Sequence, residues 1–168
     1  ALLQRLTNAD LTAENFRFMR SQTIEVAGVT CLAIRVSFTG DLGWELHCGQ
    51  ADQVILFTAL LDAAKDVDGG PVGGRALGSL RIEKGYGSWG REYSPEYWPQ
   101  EAALDRLVRL DKEFLNKAAY LAVKDNTPRE RLSVFEVEAV SDADASGGEP
   151  IFLPDGTPVG RVTSGAYG

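Results

Sequence analysis

The run from Thr23 to Phe38, TIEVAGVTCLAIRVSF, constrains this chain more than any other stretch. Its residues alternate on both sides of Gly28, which reads as two β-strands joined by a tight turn. The TGDLG that follows is a second reversal, and WELHC supplies a return strand. A small antiparallel unit is therefore expected. Within the return strand Glu45 stands between Trp44 and Leu46. Two apolar neighbours imply a strand that is largely covered, where a carboxylate must be paired inside the protein or held ready for a ligand. The internal partner to weigh is Arg35.

The segments around this unit are less regular. In LTNADLTAENFRFM, Asn8, Asp10 and Thr12 are candidate N-caps for a short helical stretch burying Phe16 and Phe18 or Met19. Residues 51–67 read as an amphipathic helix with Val54, Phe57, Leu60, Leu61 and Ala64 inward, stopped by DVDGGPVGG. A second helix is expected over 75–84 with Leu77, Leu80 and Ile82 on the core side. YGSWGREYSPEYWPQ should be an ordered loop, and EAALDRLVRL a short helix starting after Pro99. RLSVFEVEA reads as a strand, SDADASGGE as a connector, and EPIFLPDGTPVGRVTSG as two short strands about an Asp-Gly turn.

A chain of 168 residues holds one ordinary domain or parts of two. Its net charge of −7 argues against a nucleic-acid or anionic-membrane partner, which requires an excess of Lys and Arg. No apolar run approaches the roughly 20 residues of a membrane span. Cys31 and Cys48 are the only cysteines and His47 the only histidine, too few for a disulfide scaffold or a zinc site. Both cysteines are expected as free thiols in a reducing compartment, and the chain as cytoplasmic. The opening ALLQRLT and closing TSGAYG suggest part of a longer protein.

Few side chains suggest chemistry on their own. GGPVGGRALG is rich in glycine but lacks the Lys-Ser/Thr ending of a P-loop. Tyr86, Trp89 and Trp98 can wall a pocket for a flat ligand or simply cover a core. Arg81 suits either a carboxylate-bearing ligand or a helix-surface ion pair with Glu83 or Glu45. Asp41 reads as a turn residue.

In order and spacing, RVSFTGDLGWEL, RALGSLRIEKGYGSWGREYSPEYWPQEAALDRLV, DKEFLNKAAYLA and GTPVGRVTSG resemble the aminomethyltransferase (glycine-cleavage T-protein) superfamily. The RAL..SLRIEKGY..WG wording is most similar to the folate-binding C-terminal region of dimethylglycine and sarcosine dehydrogenases. The resemblance runs from about Leu2 to the end. It implies an α+β fold: residues 1–125 as the C-terminal portion of a folate-binding domain, antiparallel strands with packed helices, and 126–168 as the start of a small β-barrel.

It also implies roles. Glu45 takes the place of the glutamate that binds the pterin ring of tetrahydrofolate, and a carboxylate can accept both the ring N–H and the exocyclic amino protons. Phe38 replaces a tyrosine that lines the folate pocket and keeps its ring without the hydroxyl. Arg81 matches an arginine that approaches the folate, and Trp89 adds an aromatic wall. The family's catalytic aspartate lies upstream of these residues, so no catalytic residue is assigned here and the chain alone is expected to be inactive.

WPQEAAL stands where TPLEAGL is usual, and Asn116 where glycine is common, which leaves loop geometry open at both. FAD belongs only to a neighbouring domain outside this chain, and no flavin-binding motif is present. The small-molecule partners implied are folate and an N-methyl amine. Two alternatives stand beside this reading: a stand-alone aminomethyltransferase or demethylase, and a folate-binding or interaction module without chemistry. Relatives of the last kind carry a KGC-type cysteine where this chain has Tyr86 in EKGYGSWG.

Overall fold

The computed structural model describes residues 2–138 and 145–167. By its contacts the chain divides into two compact units, 1–84 and 85–168. The 125/126 boundary expected from the resemblance falls inside the second unit.

The first unit is built on a three-stranded antiparallel sheet in the order β1 (Ser21–Val26), β2 (Val29–Ile34), β3 (Glu45–His47). Val26 pairs with Val29, so Ala27 and Gly28 alone make the turn, at φ 51° and 80°. Positive φ at both central positions matches the right-handed strand twist, and glycine carries the larger excursion without strain. Alternation gives the sheet one buried face. Ile24, Val26, Val29, Cys31 and Ala33 join Leu3, Phe16 and Leu56 in a single core cluster.

Before β1, Leu3–Arg5 form one 3-10 turn, and the expected helix near Phe16 does not form. The Asp10 carboxylate accepts the Thr12 N–H at 2.9 Å and a bond from the Asn15 amide, and among the described residues there a single helix-type bond, Phe16 N–H to the Thr12 carbonyl at 2.8 Å, is all that forms. Phe16 is fully buried, while Phe18 and Met19 are exposed, and Met19 takes φ 62°.

Helix α1 (Gln53–Lys65) follows a 3-10 turn at Gln50–Asp52. It buries Leu56, Ala63 and Ala64 with Leu60 partly covered, so the inward face is rotated from the one expected and Val54 and Phe57 face solvent. Positions 56, 60, 63 and 64 follow the same three-and-four spacing. Periodicity therefore identified the helix without fixing which of its apolar stripes meets the sheet. Helix α2 (Gly74–Glu83) departs further: Leu77 and Leu80 are about 40% exposed, and Arg81 is its buried residue.

In the second unit, residues 85–98 form the expected ordered loop. Ser88 N–H donates to the buried Glu92 carboxylate at 2.9 Å, Gly87 N–H to the Tyr93 hydroxyl at 3.1 Å, and Trp89 bridges Tyr93. The helix expected after Pro99 is replaced by turns and one 3-10 turn at Asp105–Leu107, with Ala103 in the left-handed region at φ 56°. A short helix α3 (Lys117–Val123), not anticipated, begins after Asn116 at φ 65°.

The strand expected over 131–139 joins no ladder among the described residues, and Ala139 lies outside them. Val134, Phe135 and Val137 are exposed there, because alternation makes a strand only where a second strand accepts its backbone groups. Residues 141–144 of the expected connector also lie outside the described residues. Strands β4 (Pro150–Phe152) and β5 (Pro158–Arg161) pair antiparallel about the Asp155-Gly156 turn, as expected.

Candidate functional site

Glu45 opens β3, and its surroundings are set by three local features. Gly43 precedes the strand where a Cβ would run into the Val36 carbonyl oxygen and crowd Ser37, so only glycine lets the chain return this tightly. Trp44 stands edge-on to Phe16, ring centroids 4.7 Å apart, in a T-shaped contact favoured by aromatic quadrupoles. Arg35 lies over the Trp44 ring at 5.7 Å and donates from Nη1 to the Phe16 carbonyl at 2.7 Å. The arginine weighed as an internal partner for Glu45 is thus engaged by Phe16 and Trp44.

Register then decides where Glu45 points. It pairs with Ile34, Leu46 with Ala33, and His47 with Leu32. Leu46 packs on the core beside Ala33, so Glu45 and His47 lie on the opposite, outer face of the sheet. The covered strand expected from Trp44 and Leu46 is corrected here: β3 is an edge strand with one face on the core, and the Glu45 side chain is 60% exposed. Its ionic neighbour among the described residues is His47, with Oε2 to Nε2 at 3.4 Å. On the same outer face stand Ile34 and the partly exposed Leu32, so the carboxylate borders a small apolar floor.

The other candidates are placed separately. Phe38 lies half-exposed in the loop between β2 and β3, which also carries the exposed Asp41. Arg81 is buried on α2, which overturns the helix-surface reading of that residue. Trp89 belongs to the second unit and is the most exposed of the loop aromatics at 77%, with Tyr86 and Trp98 near 40%. A groove of about 640 Å³ opens between β3 and α1, lined by Leu42, Trp44, Leu46, Cys48, Leu56 and Leu60 among others. Neither Glu45 nor Phe38 lines it, whereas His47, the ionic neighbour of Glu45, does.

The second unit holds a charged centre that the sequence did not reveal. Glu101 is buried and accepts a two-pronged bond from Arg129, Nε and Nη2 each at 2.9 Å, with the Trp98 N–H at 2.9 Å and the Arg129 N–H at 3.2 Å. The Arg129 side-chain bonds, then the Trp98 N–H, hold its carboxyl at about 2, well below the ordinary range. The partners stand 28 residues apart with no pattern linking them, so only the fold pairs them.

Comparison with known proteins places the chain. Residues 1–112 match the GCVT N-terminal domain family. Human mitochondrial dimethylglycine dehydrogenase is 36% identical over 168 residues, covering 99% of this chain and 19% of that protein. Human mitochondrial sarcosine dehydrogenase is 36% identical over 140 residues, 82% of this chain and 15% of that protein. An aminomethyltransferase of Caldanaerobacter subterraneus is 32% identical over 167 residues, 99% of this chain and 44% of that protein. The chain spans about a fifth of the length of the dehydrogenases it matches. On the family match and on these relatives, the chain belongs to the aminomethyltransferase superfamily, as a GCVT-type domain sequence related to dimethylglycine and sarcosine dehydrogenases.

Proposed function

We propose that this chain is a tetrahydrofolate-binding part of a one-carbon (aminomethyl) transferase, one that captures the methylene released when an N-methyl amine such as dimethylglycine or sarcosine is oxidised. The observation that carries the reading is Glu45: an edge-strand carboxylate, exposed, ion-paired among the described residues with His47 and not with an arginine, beside the apolar pair Leu32 and Ile34. The donor chemistry fits. A pterin edge offers a ring N–H next to an amino group, and an ionised carboxylate accepts both in one charge-assisted pair.

The remaining roles follow within the same reading. Phe38 supplies an exposed ring for a flat ligand to stack on, while the roles given to Arg81 and Trp89 rest on the resemblance alone. Bound folate supplies the nucleophilic nitrogen that accepts the one-carbon unit. Glu45 and Phe38 orient it, which converts an encounter of two molecules into an effectively unimolecular step. Oxidation of the amine, and the flavin it requires, belong to a neighbouring domain of the parent. Residues 126–168 then begin the barrel that follows the folate domain.

The names of the relatives support this reading over a purely structural module, since each is an enzyme of amine or aminomethyl chemistry. Calorimetric titration of tetrahydrofolate into the chain tests it. Saturable binding that Glu45→Ala abolishes is the expected result. Binding indifferent to the substitution would remove Glu45 from the ligand, and absence of saturable binding would leave the interaction-module alternative.

A further inference from the structure

The register that turns Glu45 outward also sets two thiols against one another. Leu32 pairs with His47 and Ala33 with Leu46, so one more step along the ladder opposes Cys31 and Cys48, just past the end of β3. Directly opposed residues of antiparallel strands have Cα atoms about 4.5 or 5.5 Å apart, according to their place in the ladder. Both spacings fall within the roughly 4.4–6.8 Å that a disulfide spans. The two side chains also share a face: Cys31 is a member of the core cluster and Cys48 packs against it. Both are free thiols.

We propose that Cys31 and Cys48 form a reversible modification site, closed into a cross-strand disulfide by exchange with a small-molecule disulfide of the oxidised-glutathione type. The inference is independent of the folate reading, since it rests on the strand register alone.

The two cysteines differ in access, which sets the order of events. Cys48 is partly exposed and lines the groove between β3 and α1, whereas Cys31 is fully buried, its Sγ directed at the Val29 carbonyl at 3.5 Å. Burial first, then the neighbouring Cys48 and Asp52, pushes the Cys31 thiol up, so it is the poorer first nucleophile. The Cys48 thiolate attacks one sulfur of the oxidant, breaking its S–S bond and releasing one small thiol. Cys31 then rotates from Val29 and attacks the Cys48 sulfur, expelling the second small thiol, which carries off the Cys31 proton. In sum two protein thiols lose two protons and two electrons, and the oxidant is reduced to two thiols. The closed loop, residues 31–48, contains both Phe38 and Glu45.

Incubation of the folded chain with oxidised glutathione, followed by intact mass and peptide mapping under thiol-trapping conditions, tests this. The expected product is a monomer lighter by two hydrogens, with Cys31 and Cys48 peptides linked and a melting temperature several degrees higher, reversed by dithiothreitol. Cys31→Ala should instead keep one glutathione on Cys48, and in Cys48→Ala the buried Cys31 should stay unmodified while folded. A wild-type chain that retains glutathione on Cys48 with Cys31 free, that forms dimers linked between chains, or that stays fully reduced would overturn the proposal.

Discussion

Glu101 keeps its charge inside the second unit because four donors converge on it: Arg129 Nε and Nη2, the Arg129 N–H and the Trp98 N–H. Its folded-state value of about 2 lies below the ordinary 4.5. The stability this linkage supplies is complete above about pH 4.5 and is lost as pH falls through about 2. Glu101→Gln should therefore lower Tm at neutral pH, and the gap to wild type should narrow between pH 4.5 and 2. Thermal melts by circular dichroism across that range check it, and a gap that stays constant would contradict the pairing. Phe16 makes the matching case in the first unit. It is fully buried and edge-on to Trp44, so Phe16→Ala should cost about 3–5 kcal/mol in urea unfolding. Neither interaction was legible in the sequence. An apolar Phe signals burial, but its ring partner and the Arg129 clamp are tertiary.

At the level of elements, the alternating run on either side of Gly28 announced β1, β2 and their two-residue turn, and Asp155-Gly156 announced the β4–β5 hairpin. These were readable because the signal is local: a period of two and a turn residue suited to positive φ. Where the deciding interaction is distant, the reading failed. The strand of RLSVFEVEA needs a partner it does not meet among the described residues. The rotated face of α1 depends on which side Leu56 presents to the sheet. Glu45 belongs to the same class, since flanking apolar residues cannot distinguish an edge strand from an internal one. The element that positions Glu45 most directly is the return at Gly43. Gly43→Ala brings a methyl group against the Val36 carbonyl oxygen, a backbone atom with little room to yield. We expect about 1–3 kcal/mol of destabilisation and a displaced Trp44, read as a change in near-ultraviolet circular dichroism. An unchanged spectrum and stability would show that the return is looser than described.

Across the whole molecule, the two units are held by different forces. The first has a continuous apolar core from Leu3 to Leu56, while the second relies on buried carboxylates, Glu92 and Glu101, with Glu149 capping the Ser146 and Gly147 N–H groups. The backbone donors at Ser146 hold Glu149 at about 2 as well. Acid should therefore loosen the second unit first. Brief pepsin digestion at pH 2 is expected to cut within 85–138 before 16–64, and the reverse order would contradict this division. The central claim concerns the first unit alone, where the family resemblance and the edge position of β3 meet in one carboxylate. The most direct measurement is the affinity of tetrahydrofolate for wild type and for Glu45→Gln, which keeps the shape but presents an amide donor where acceptors are needed. The account predicts a loss of tenfold or more, about 1.5–3 kcal/mol for a charged hydrogen-bonded pair. Equal affinity for the two proteins would contradict it.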